Sequence, residues 1–250
     1  MGFARLSHTA TLLEDGRVLV AGGIRDEGGR GQAERNYASA EIFDPVTEQW
    51  TFTEALREAR NLHTASRLAD GRVLVVGGIG TPLIDLAHPL SSAEIYDPES
   101  QRWSSGGTLS IARTSHTATT LANSDVLVVG GVGGGKGGLV SAELYDADTG
   151  TWRATGVPAV PRSGHTAALL EDGRVLIAGA GYLYPGENAA EPTTTAEVYD
   201  PVTSRWSYTS GMAEKRGMFT ANLLGGPSCQ TASRPSYCGK VLAVGGGEGS

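Results

Sequence analysis

The sequence predicts an all-β chain folded as a β-propeller, with four complete four-stranded blades and two strands of a fifth. Three observations predict it. A set of markers recurs about every 50 residues. Short apolar runs are separated by turn signals, and no segment carries a helical period with caps. Glycine supplies 36 of the 250 residues, about twice its usual share, without the Gly-X-Y period of collagen.

The markers keep a fixed order. Arg-x-x-His-Thr-Ala occurs at Arg5/His8, Arg60/His63, Arg113/His116 and Arg162/His165, and a fifth copy from Arg216 carries Phe219 in place of His. Glycine pairs follow at Gly22-Gly23, Gly77-Gly78, Gly130-Gly131 and Gly245-Gly246, and the fourth copy reads Gly179-Ala180-Gly181. Next come Ser39-Ala40-Glu41, Ser92-Ala93-Glu94, Ser141-Ala142-Glu143 and Thr195-Ala196-Glu197, each leading into an aromatic-Asp step. Trp50, Trp103, Trp152 and Trp206 close the units. The units therefore run 5–59, 60–112, 113–161, 162–215 and 216–250, within one propeller domain over 1–250 that is itself incomplete.

Each element of a unit has its own signal. His8–Leu13 and Arg17–Ala21 read as two strands around Glu14-Asp15-Gly16, where Asp-Gly predicts a hairpin with both turn positions at positive φ. Val18–Ala21 is apolar on both faces, so the second strand should lie between stacked sheets. Ala40–Phe43 forms the third strand and ends at Asp44-Pro45, residues suited to a type I turn. The fourth carries Trp50, large enough to fill the gap to a neighbouring sheet. Units too small to fold alone bury their faces by stacking.

In this order Arg-x-x-His-Thr, Gly-Gly, Tyr-Asp and Trp resemble the kelch repeat, over essentially the whole chain. The resemblance implies a kelch-type propeller whose first strands line a central channel, placing His8, His63, His116 and His165 at the channel rim. It also implies six or seven blades for a closed ring. This chain is therefore expected to be a piece of a longer ring, either an open arc as a monomer or a ring completed by self-association or by further sequence, the alternative being a compact five-bladed ring whose last blade has two strands. Galactose oxidase has a similar propeller with copper ligands, and a fragment of such an enzyme is the alternative reading. Its Tyr-His pair and Tyr-Cys crosslink have no counterpart here, so no catalytic residue, metal or cofactor is assigned and the enzyme question leans to no.

Charge and composition narrow the partners. Net charge is −7 with no basic cluster, which argues against nucleic acid. Apolar runs such as Val73–Val76 are far too short to insert in a membrane. The N-terminus has no apolar signal core. Cys229 and Cys238 read as two loop thiols or as a local disulfide, with the disulfide favoured, and with it an extracytoplasmic location. Gly133–Gly138 nearly spells a phosphate loop, but a strand follows where such loops need a helix.

Glu41, Glu94, Glu143 and Glu197 fall inside apolar strands and need partners. Arg60, Arg113, Arg162 and Arg216 are matched to them in number, and they read as structural pairs or as ligand contacts; repetition in every blade favours the first. Function in repeat folds concentrates on variable loops. The long joins from second to third strands bring Arg25, Arg35, His88, Lys136, Tyr182 and Tyr184 to one face. The expected function is a non-catalytic binding or scaffold module that recognises a protein or carbohydrate through this face.

Overall fold

A computed structural model describes residues 1–25, 35–80, 88–133, 138–181, 192–225, 236 and 238–247. Lys136, Tyr182, Tyr184 and Cys229 lie outside these, and of Arg35 only the backbone is described.

Four sheets of four antiparallel strands and a final two-stranded sheet make up the blades. The first blade comprises β1 (Thr9–Leu12), β2 (Val18–Ala21), β5 (Ala40–Asp44) and β6 (Gln49–Phe52), with a small hairpin of β3 (Ile24–Arg25) and β4 (Arg35–Asn36) inserted after β2. The second contains β7 (Thr64–Arg67), β8 (Val73–Val76), β9 (Ser92–Asp97) and β10 (Arg102–Thr108). The third contains β11 (Thr117–Thr120), β12 (Val126–Val129), β13 (Ala142–Asp146) and β14 (Thr151–Ala154). The fourth contains β15 (Thr166–Leu169), β16 (Val175–Ala178), β17 (Ala196–Asp200) and β18 (Arg205–Thr209). β19 (Gly217–Leu223) and β20 (Val241–Gly247) form the fifth.

The doubly apolar second strands do what their pattern requires. In β8, Val73 and Val75 pack toward Leu19 and Ile42 of the first blade, while Leu74 and Val76 pack toward Val126 and Val128 of the third. Each blade thus contributes to two cores, one on either side. Each closing tryptophan meets the aromatic residue of its own third strand, as Trp103 meets Tyr96 with ring centroids 5.0 Å apart. Its indole N–H then crosses to the preceding unit: Trp103 donates to Glu54 O, Trp152 to Gly106 O and Trp206 to Gly156 O, at 2.7–2.8 Å. Trp103 is buried, whereas Trp50, against which no preceding unit packs among the described residues, is exposed.

One turn differs from the sequence reading. Only the glycine of each Asp-Gly step has positive φ (Gly16, Gly71 and Gly173), and its N–H donates to the carbonyl three residues earlier. These are type I turns followed by a left-handed residue, not two-residue turns with both centres at positive φ. The local acid explains the choice. Asp15 Oδ1 accepts the Arg17 N–H at 3.0 Å and Oδ2 binds its guanidinium, holding the aspartate short of the left-handed region. In the third blade Ser124 takes the left-handed place at φ 74°.

The innermost strands pack in chain order, β1 on β7, β7 on β11, β11 on β15 and β15 on β19. No comparable packing joins β19 to β1. Leu12, Trp50 and Phe52 are exposed at one end and Met218, Leu242 and Val244 at the other. The described residues form an open arc.

Candidate functional site

The repeated arginines sit inside the blades. Arg60, Arg113 and Arg162 have no exposed surface, and Arg5 is 5% exposed. Each guanidinium clamps three segments of its unit. In the third blade, Arg113 Nη1 donates to Gly130 O at 2.8 Å, and Nη2 donates to Ser141 Oγ at 3.0 Å and to Glu143 Oε1 at 2.7 Å. Arg5, Arg60 and Arg162 repeat the pattern with Glu41, Glu94 and Glu197. The arginine set is shifted by one from the sequence expectation. Arg5 belongs to it and Arg216, whose unit lacks a third strand among the described residues, does not. The other carboxylate oxygen accepts backbone N–H groups of the preceding connection, from Gly2 to Glu41, Arg57 to Glu94, Ser110 to Glu143 and Ala159 to Glu197. Burying these charges is tolerable because every one is paired and multiply hydrogen-bonded.

The histidines join neighbouring blades. Their Nε2 atoms share hydrogen bonds with first-strand threonines of the blade before: His63 with Thr9 at 3.0 Å, His116 with Thr64 at 2.9 Å, His165 with Thr117 at 2.8 Å. The first glycine of each pair makes room for this. A Cβ at Gly130, which has φ 62°, would lie 2.5 Å from Arg162 O and 3.0 Å from the His165 ring. Burial, reinforced by the adjacent arginine charges, pushes the His63 and His165 pKa down to about 3 and that of His116 well below its usual value. Nδ1 of His116 and His165 has no hydrogen-bond partner among the described residues, so an added proton would find no acceptor there. His8, against which no earlier blade packs among the described residues, is exposed. Among the described residues no cluster of three or more His, Cys, Asp or Glu side chains is arranged to hold a metal ion.

At the channel mouth a cavity of about 300 Å³ is lined by Leu62, Ser115, Gly164, Met218 and the ring of residues that follow them. These four, and Ser7, have φ between 52° and 57°. The conformation turns three of these amides toward the preceding unit: Leu62 N–H donates to Ser7 O, Gly164 N–H to Ser115 O and Met218 N–H to Gly164 O. At the step between the second and third units Thr114 Oγ1 donates to Leu62 O at 3.3 Å instead.

Above it, each long loop is rooted on two blades. The outgoing limb pairs with its own unit, as Leu6 with Ile24 and Thr114 with Val132. The returning limb pairs with the next unit, as Leu139 with Arg162 and Thr193 with Arg216. The first loop has an added lock that the sequence did not advertise. Buried Asn36 donates its side-chain amide to Ile79 O and Gly80 O at 2.8 Å and accepts from Asn61. Arg25 and His88 are exposed at the bases of their loops. A second cavity, of about 590 Å³, lies on the opposite face among the first two blades' turns, lined by Glu14, Asp15, Arg17, Asp70, Asp97 and Glu99. The sequence reading passed over it because turn acids are common everywhere. No helix is long and apolar enough to cross a membrane among the described residues.

Comparison with known proteins agrees with this architecture. A family model for the kelch motif matches residues 62–110. The chain is similar to spermatocyte protein spe-26 of Caenorhabditis elegans, 30% identical over 51% of this chain and 21% of the relative. It is similar to kelch-like protein 34 of Homo sapiens, 34% identical over 40% and 15%, and to alpha-scruin of Limulus polyphemus, 29% identical over 56% and 14%. The chain spans about a fifth or less of the length of these relatives. The solved structure of YjhT matches 90% of this chain and 76% of its own with a TM-score of 0.73, and at 14% identity that shows a shared fold. With the motif matched in the second unit and its markers and hydrogen bonds repeated in the others, this chain is a kelch-repeat β-propeller.

Proposed function

We propose that the chain is a non-catalytic binding module whose long second-to-third-strand loops capture a protein partner. The observation that carries this is the rooting of each loop on two blades. A loop whose two ends are both held by sheets has fewer residues left to order on binding, which lowers the ordering cost. The repeated residues are occupied with holding the blades together, whereas the loops differ from unit to unit and so can specify a partner. Arg25 and Arg35, opposite one another on β3 and β4, supply cations at the base of the first loop, and arginine is a frequent interface anchor. His88 marks the second loop, and Lys136, Tyr182 and Tyr184 carry the third and fourth.

The test compares wild type with Arg25→Glu, Arg35→Glu and a variant with residues 26–34 replaced by a Gly/Ser linker. Each is used to capture partners from a lysate of the source organism, and each is also applied to a glycan array. The expected result is a protein retained by wild type and lost from all three variants, with unchanged thermal unfolding. Retention that survives the loop replacement would place binding elsewhere, and glycan binding without a retained protein would change the partner class.

A further inference from the structure

Among the described residues Asn36 makes a contact that no other unit repeats. It faces Ile24 across the β3–β4 hairpin, on the returning limb of the first loop. Pro89 and Gly138 face Ile79 and Val132 at the same place in the second and third units. Pro192 holds that place in the fourth, just before Thr193, whose carbonyl accepts the Arg216 N–H as that of Tyr37 accepts the Arg60 N–H. Proline and glycine have no side-chain donor, so folding a blade does not require one here. Asn36 is 7% exposed, and its side-chain nitrogen donates to Ile79 O and Gly80 O, on the outgoing limb of the second loop, at 2.8 Å each. Its side-chain oxygen accepts from Asn61, which is buried as well. From there the chain of contacts runs on: Gly80 N–H donates to His88 O, Ile79 pairs with Pro89, and Leu90 N–H donates to Gly78 O. Elsewhere a returning limb reaches the next loop only through the backbone between them. Here one buried side chain bridges the two loops directly.

We propose that Asn36 is a positioning residue that joins the first two long loops into one recognition surface, which a single protein partner engages through both loops at once. The choice of a protein partner rests on the loop-face function proposed above, whereas the coupling is carried by the hydrogen bonds alone. A partner that orders the base of one loop orders the base of the other through Asn36, so the second contact costs less than the first. The joined surface presents one exposed side chain from each loop base, Arg25 and His88. The third and fourth loops stand apart from it. Pro89 offers no donor toward the third loop, and the Thr114 hydroxyl, two residues before His116, is turned back to Leu62 O at 3.3 Å.

The coupling is tested without a partner. Amide hydrogen exchange is followed in wild type, in Asn36→Gly, in a variant with residues 26–34 replaced by a Gly/Ser linker, and in the double variant. Asn36→Gly copies the third unit, and unchanged exchange in β8 and β12 verifies that the sheets persist. Asn36→Pro, which copies the second and fourth units, repeats the test with a second variant. In the wild-type background the linker should speed exchange at Tyr37, Gly80 and Leu90 together, by about tenfold. In the Asn36→Gly background it should speed Tyr37 and leave Gly80 and Leu90 unchanged. A side chain that merely stabilised the fold would leave the linker's effect equal in both backgrounds. That equality, or a linker without effect on Gly80 and Leu90 in wild type, would overturn the proposal. So would a bound protein partner that protects Tyr37 without Gly80 and Leu90. Failure to capture any partner would count against the loop-face function and leave the coupling standing.

Discussion

His116 Nε2 and Thr64 Oγ1 lie 2.9 Å apart and belong to different blades, so one hydrogen bond ties the third blade to the second at the channel. The equivalent bonds of His63 and His165 use neutral imidazoles too, because burial depresses the pKa of all three.

Acid should therefore loosen the blades. The unfolded chain takes up these protons below its ordinary pKa of about 6.5, whereas folded His63 and His165 resist protonation until about pH 3. Their stabilisation is present above 6.5 and lost progressively as pH falls toward 3. Each histidine contributes a slope of about 1.4 kcal/mol per pH unit in that window. His116→Phe, which copies the Phe219 of the fifth unit, should remove about a third of the three-histidine slope in urea unfolding followed between pH 4 and 7. An unchanged slope would mean that His116 titrates alike in both states.

Breaking a complete clamp should cost far more than breaking the partial one. Glu143→Ala leaves Arg113 buried without its carboxylate, and an expected loss of about 3–5 kcal/mol follows. Arg216→Ala removes a partly exposed contact and should cost about 1 kcal/mol or less. Urea midpoints rank the two, and equal losses would contradict the difference in burial.

The tryptophans should divide by neighbour, not by repeat position. Trp103→Ala opens a cavity between two blades and should destabilise by about 3–5 kcal/mol. Trp50→Ala, at an uncovered face with the residue 37% exposed, should cost clearly less. Calorimetry of both variants checks this, and a larger loss at Trp50 would mean that its face is covered in solution.

Cys229 and Cys238 are expected to pair. Closing about ten residues would contribute roughly 2–3 kcal/mol in the chain-entropy picture. Thiol titration of denatured, unreduced protein should find no free thiol. Two would remove both the pairing and the argument for an extracytoplasmic location.

The propeller, its blade count and the approximate extent of its strands are legible in the chain alone. They rest on local chemistry: doubly apolar second strands, Asp and Gly at turns, and one tryptophan per blade. The buried Arg and Glu sets are legible too, because an isolated charge in an apolar strand demands a partner. Which partner it finds depends on the packed blades. Arg113 binds Glu143 of its own unit, and the same geometry brings in Arg5 and leaves out Arg216. Likewise nothing local distinguishes His8 from His116, or Trp50 from Trp103. Each differs only in whether another blade lies against it. Asn36 and Asn61 were silent for the same reason, since a pair of amides 25 residues apart acquires meaning only when two blades meet. Spacing along the chain records what a residue needs, and packing between blades decides whether and by what that need is met.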